Sequence, residues 1–62
     1  MKTFKIGRYW TFGEHNYHYS LKQKTFWGWK EISRWWVSPE GDLKYDRNIE
    51  ELRANGHVVI EE

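Results

Sequence analysis

The chain has 62 residues, among them five Trp, four Tyr, three Phe and no Cys, and a net charge of +1. That length gives one domain, residues 1–62, with a thin core, because so short a chain buries only about 60% of the surface its unfolded form exposes. Without cysteine it has no disulfide or thiolate zinc site to staple it, so its aromatic residues, 19% of the chain, are expected to fill most of the core and leave two or three rings exposed.

No apolar run approaches the ~18 residues that span a bilayer, and residues 1–8 lack a signal-type apolar stretch. The expectation is a cytoplasmic protein with no membrane partner. Charge is uneven. Residues 1–38 carry seven Lys or Arg against Glu14 and Glu31, a balance of +5, whereas residues 39–62 carry three against seven acids, a balance of −4. Either the molecule has a basic and an acidic face or the two halves pack with their charges intermixed.

In residues 3–12 Phe4, Ile6, Trp10 and Phe12 fall on even positions, with Arg8 the exception, and polar or amphipathic residues fall on odd ones. A period of two predicts a half-buried strand. Gly13-Glu14-His15-Asn16 reads as a turn, and residues 17–22 as a second strand closing a hairpin on the first. Gln23-Lys24-Thr25 reads as a second turn or bulge. The Trp residues change parity along 26–37: either Gly28 marks a bulge, or both faces of the strand are covered, and the favoured reading is a central third strand at about 29–37 with aromatics on both sides.

Ser38-Pro39-Glu40-Gly41-Asp42 has the composition of a turn, and Leu43-Lys44-Tyr45 of a short returning strand. Asp46 or Asn48 then caps a helix over about 47–55, with Glu51 at capping-box spacing from Asn48 and Gly56 as a left-handed C-terminal cap. Residues 57–60 read as a last strand. The fold class is α+β: a small, mostly antiparallel sheet of three to five strands packed with one short C-terminal helix. A small barrel plugged by the helix is the alternative.

Signatures of chemistry are missing. There is no phosphate loop, nucleophile elbow or nucleotide fingerprint. Ser20, Ser33 and Ser38 have nothing to place them in a triad. His15 and His18 are three apart where a turn enters a strand, so they point to opposite faces, and neither they nor His57 suggest a metal site. Glu14 and Glu31 are the only acids of the basic half, but so short a chain has little cleft to enclose a sugar between two carboxylates. The expectation is a non-enzyme without cofactor or metal.

The Trp-rich run Phe26-Trp27-Gly28-Trp29-Lys30-Glu31-Ile32-Ser33-Arg34-Trp35-Trp36-Val37 is the most informative segment. Trp, Tyr and Arg dominate binding hot spots, so Trp27, Trp29, Lys30, Arg34, Trp35 and Trp36 are the candidate partner-binding residues. At least one of the four Trp is expected to be substantially exposed. Aromatics interleaved with cations also suit unpaired bases beside phosphates, which makes Lys5, Arg8, Lys22 and Lys24 the candidate nucleic-acid contacts. The near-neutral balance and a pI of about 8.0 sit below the basicity usual for nucleic-acid binders and favour a protein partner.

Two resemblances bear on function. Aromatic-rich strands, an FWGW-like segment and a capped helix make the whole chain similar to a type of small phage and mobile-element protein, which implies an inhibitory interaction with a host enzyme or defence complex. Gly28-Trp29-Lys30-Glu31, then Val37-Ser38-Pro39-Glu40-Gly41, then Glu51-Leu52 resemble the methyl-CpG-binding domain over residues 28–56. That likeness implies a strand, a Ser-Pro-x-Gly turn and a helix next to DNA. The family's long DNA-contacting loop is absent here, and Tyr45-Asp46 stands where the family has Arg-Ser.

Overall fold

Alternation in the first segment builds β1 (Thr3–Thr11), which pairs antiparallel with β2 (Asn16–Thr25) from Thr11↔Asn16 to Phe4↔Gln23. The computed structural model describes residues 1–11 and 16–62. Phe12, Gly13, Glu14 and His15, and with them the expected turn and half of the His pair, lie outside the described residues. β2 continues antiparallel into β3 (Gly28–Trp36), helix α1 (Pro39–Ala54) follows, and β4 (Val58–Glu61) lies parallel to β1. The sheet order is β3-β2-β1-β4. The expected α+β architecture is therefore present, with four strands and one helix.

Four details of the expected layout are corrected. Gln23, Lys24 and Thr25 belong to β2, where they are fixed by pairing with β1 or β3; the turn is Phe26-Trp27, with Gly28 at φ 118° behind it. β3 is an edge strand, and β2 and β1 occupy the centre. The parity change comes from Ile32 and not from Gly28. Leu21 pairs with Ser33 and Lys22 with Glu31, so Ile32 is the extra residue of a bulge, which turns the rest of the strand over.

The fourth correction is the helix, which begins eight residues before the expected start. Ser38-Pro39-Glu40-Gly41-Asp42 is its first turn, and the expected strand 43–45 is helical. Proline's fixed φ serves the first residue of a helix as well as the corner of a turn, so the composition alone does not separate the two. Here Ser38 is the N-cap: its hydroxyl accepts from the Gly41 N–H at 2.9 Å. Glu40 and Asp42 add negative charge near the positive end of the helix dipole. Asn48 caps nothing; it lies mid-helix and donates from Nδ2 to the Lys44 carbonyl. At the other end Gly56, at φ 82°, donates to the Arg53 carbonyl, and His57 to that of Leu52. That pair of bonds satisfies carbonyls the helix leaves open, in the geometry that favours glycine.

α1 carries the chain from one edge strand to the other. Sixteen residues are about 24 Å of helix, enough to cross three inter-strand spacings of ~4.8 Å each. The core lies beneath it: Phe4, Ile6, Leu21 and Val59 from the sheet and Ile49 from α1, with Trp35, Tyr45 and Leu52 packed against them. Helix and β3 meet closely at Gly41. A side chain there would come within 2.4 Å of the Trp36 carbonyl and 3.1 Å of the Trp35 ring, and the Trp35 indole donates to the Gly41 carbonyl at 3.0 Å.

The core is mainly aliphatic, and the expectation that it takes most aromatics is wrong. Among the described aromatic residues only Phe4 and Tyr19 are buried, and six are exposed: Trp10, Tyr17, Phe26, Trp27, Trp29 and Trp36. One helix covers one side of a small sheet, so Trp29 and Trp36, on the other side, have nothing over them. Phe26 and Trp27 stand at a turn, and Trp10 and Tyr17 share the helix side with Arg8 and Tyr19 but stay exposed at the end of the β1–β2 pair.

Candidate functional site

The uncovered face is built by the pleat and the Ile32 bulge. β1 contributes Lys5 and Tyr9 to it, β2 contributes His18, Ser20, Lys22 and Lys24, and β3 contributes Trp29 and Glu31 before the bulge and Arg34 and Trp36 after it. Contacts confirm the shared side. Lys5 Nζ lies 4.4 Å from the centre of the Trp29 ring, Ser20 donates to Glu31 at 2.5 Å, Arg34 pairs with Glu31 at 3.0 Å, and His18 meets the Trp36 ring edge-on at 6.5 Å. Tyr9 lies beside His18 and under the Lys22 ammonium. Trp36 and Trp29 keep 52% and 39% of their surface exposed. A shallow cleft of about 330 Å³ adjoins Trp36, lined also by Trp10, Asn16, Tyr17 and Val37.

The sequence-predicted residues divide into three groups. Trp29, Arg34, Trp36, Lys5, Lys22 and Lys24 come together on the open face. Trp35, Lys30 and Arg8 do not join them. Trp35 packs under α1 beside Tyr19, with the Lys44 ammonium over its ring. Lys30 pairs with Gln23 on the opposite parity from Trp29. Arg8, paired with Tyr19, lies 5.0 Å from the Tyr17 ring on the helix side. Trp27 joins neither face: it stands with Phe26 at the β2–β3 turn, and both are 91% exposed. Tyr9, His18 and Phe26 were not among the candidates. The first two follow from the strand alternation, and Phe26 from the oddity of a bulky ring at a turn.

Two carboxylates lie among the cations of the open face. The Ser20 hydroxyl, then Arg34, hold the Glu31 carboxyl below its ordinary range. Glu62 reaches this side from β4, accepting from the Tyr9 hydroxyl and pairing with Lys5 at 3.0 Å; those bonds lower its pKa too. Tyr9 responds oppositely: burial and the Glu62 bond push it up to about 12. Both carboxylates are therefore ionised at neutral pH, and they compensate Lys5 and Arg34. Lys22 and Lys24 have no carboxylate partner among the described residues. Most acids of the second half sit on α1, on the far side of the sheet, so the open face is the more basic one, although Glu62 crosses over to it and Arg8 and Lys30 lie on the helix side.

Among the described residues no group of three His, Cys, Asp or Glu could hold a metal ion, and no helix is long and apolar enough to cross a membrane. No family model matches the chain, and no curated protein or solved structure matches it.

Proposed function

We propose that this chain is a non-enzymatic binding module that docks on a protein through the open face of its sheet. One observation carries the reading: α1 covers one side of the sheet, while the other presents the partly exposed indoles of Trp29 and Trp36 among Arg34, Lys22 and Lys24. Large rigid rings next to an arginine are the composition of interface anchors, and a rim of cations orients the approach of an acidic surface. The fitting partner has an apolar recess for Trp36, with acidic groups facing Lys22 and Lys24. A small rigid domain held across a functional surface blocks it by occupancy alone, so the same geometry serves an inhibitor.

A second reading, a single-stranded nucleic-acid binder, is favoured by the gathering of Lys5, Lys22, Lys24 and Arg34 beside two indoles. Against it, Glu31 and Glu62 are ionised within that face and would repel a phosphate backbone, and Arg8 and Lys30 lie elsewhere.

Capture from nuclease-treated and untreated lysate, by the native chain and by Trp36→Ala, separates the readings. The protein reading expects a protein that survives nuclease and is lost with Trp36→Ala. Captured nucleic acid, with nothing retained after nuclease, overturns it in favour of the second.

A further inference from the structure

The β2–β3 turn is unexplained by the fold and by the sheet-face reading. Two-residue turns are normally made from Gly, Asn, Asp, Ser or Pro; this one is Phe26-Trp27, and both rings are 91% exposed. They contact each other edge to face, with centres 5.0 Å apart and planes at 89°, and so form a blunt apolar wedge. The turn is held in shape, since the Thr25 hydroxyl accepts from the Trp27 N–H at 3.2 Å and donates to the Gly28 carbonyl at 2.8 Å. Positions where a sequence departs from local turn chemistry are where functional or strained sites are expected.

The charges behind the wedge identify what it meets. Lys24 on β2 and Lys30 on β3 flank the hairpin just behind the turn, and their opposite parities place them on its two sides. No Asp or Glu occurs between His15 and Lys30, and Glu31, the next residue, is paired with Arg34, so the tip carries one lysine on each side and no acid. This differs from the sheet face, where carboxylates compensate Lys5 and Arg34. Rings in front with lysines behind, able to extend back toward phosphate while their stems stay in the apolar layer, is the arrangement of an interfacial anchor. Lying in an interface needs no spanning segment.

We infer that the Phe26-Trp27 turn is a lipid-surface anchor: the two rings enter the boundary between headgroups and acyl chains of an anionic bilayer, while Lys24 and Lys30 stay at the phosphate level. A one-signed collar round an apolar tip matches a uniformly anionic layer better than the mixed-sign rim of a protein recess. Lys24 borders the open sheet face as well, but Phe26, Trp27 and Lys30 lie outside that face, so the inference does not rest on its reading.

The test is cosedimentation with phosphatidylcholine vesicles, with and without phosphatidylglycerol, combined with tryptophan quenching by chain-brominated lipid. The expected result is binding to the anionic vesicles that weakens with salt, and about fivefold weaker binding for Lys24→Gln and for Lys30→Gln. Phe26→Ser/Trp27→Ser should abolish binding with its melting temperature unchanged. Brominated lipid should quench the native chain more than Trp27→Phe. Four results overturn the proposal: no binding to anionic vesicles, undiminished binding by the double variant, equal quenching of native chain and Trp27→Phe, or a loss with Trp36→Ala as large as with the double variant. Loss of the protein partner with Trp36→Ala, vesicle binding intact, would show the two surfaces to be separate.

Discussion

Trp35 and Trp36 are neighbours in sequence and occupy opposite sides of the sheet. Trp35 lies under α1, its indole N–H on the Gly41 carbonyl and its ring against Tyr19. Trp36 has about half its surface in solvent. The residue type is the same, the strand is the same, and the difference is which side the helix covers. Aromatic content therefore says little about core size in so small a chain: a ring is structural where α1 overlies it and available for binding where it does not.

The sharpest way to break this comparison is to truncate the two indoles separately. Trp35→Ala removes a side chain that bridges helix and sheet, and large-to-small changes of this kind cost about 3 kcal/mol or more. Chemical denaturation should show a lower midpoint with the slope preserved. A loss as small as that of Trp36→Ala would mean that α1 does not depend on Trp35.

Gly41→Ala tests the same contact from the helix side. The added methyl would meet the Trp36 carbonyl at 2.4 Å, and the shift needed to relieve this should cost about 2 kcal/mol, although alanine is the better helix former. A thermal melt above that of the native chain would show that helix and strand separate freely there.

The helix ends give the next effects. Ser38→Ala should cost about 1 kcal/mol, a typical cap loss, and Gly56→Val more than Asn48→Ala, because Gly56 has φ 82° and Asn48 is mid-helix. Melting all three variants checks the order; an Asn48→Ala loss matching that of Ser38→Ala would move the helix start back toward residue 47.

Alkaline titration probes the covered face through Tyr19, whose hydroxyl donates to Asp42. That bond, with burial, raises the Tyr19 pKa from its ordinary 10.0 to about 12. A folded-state pKa above the unfolded one favours the protonated form on folding, so the associated stability is complete below pH ~10 and is lost as the pH rises toward ~12. Tyr19→Phe should be less stable at neutral pH and show a flatter decline over that window; an unchanged slope would remove Tyr19 as its source.

For the size of its side chain, the smallest structural effect is expected at Trp36. Trp36→Ala should cost clearly less than Trp35→Ala, about 1 kcal/mol, since half of its surface is already in solvent, and yet abolish partner capture. Large destabilisation would make Trp36 a structural residue and remove the contrast with Trp35.

Much of this was legible in the sequence. The alternation of Phe4 and Ile6 with Lys5 and Gly7 placed β1 and its two faces, because side-chain direction in a strand depends only on position. The same rule separated Trp35 from Trp36. Gly56 was readable as a left-handed cap, since the glycine follows a helical pattern directly. What required the tertiary structure was whatever depends on a partner strand or on a choice between equal local signals. Ser38-Pro39-Glu40-Gly41 suits a turn and a helix start equally, and the packing of Gly41 against Trp35 and Trp36 decides for the helix. Ile32 became the bulge only through the register with Leu21 and Lys22, and that slip brings Trp29 and Trp36, of opposite parity, to one side. Strand order made β3 an edge, and the single helix laid across the other face left the indoles of Trp29 and Trp36 uncovered.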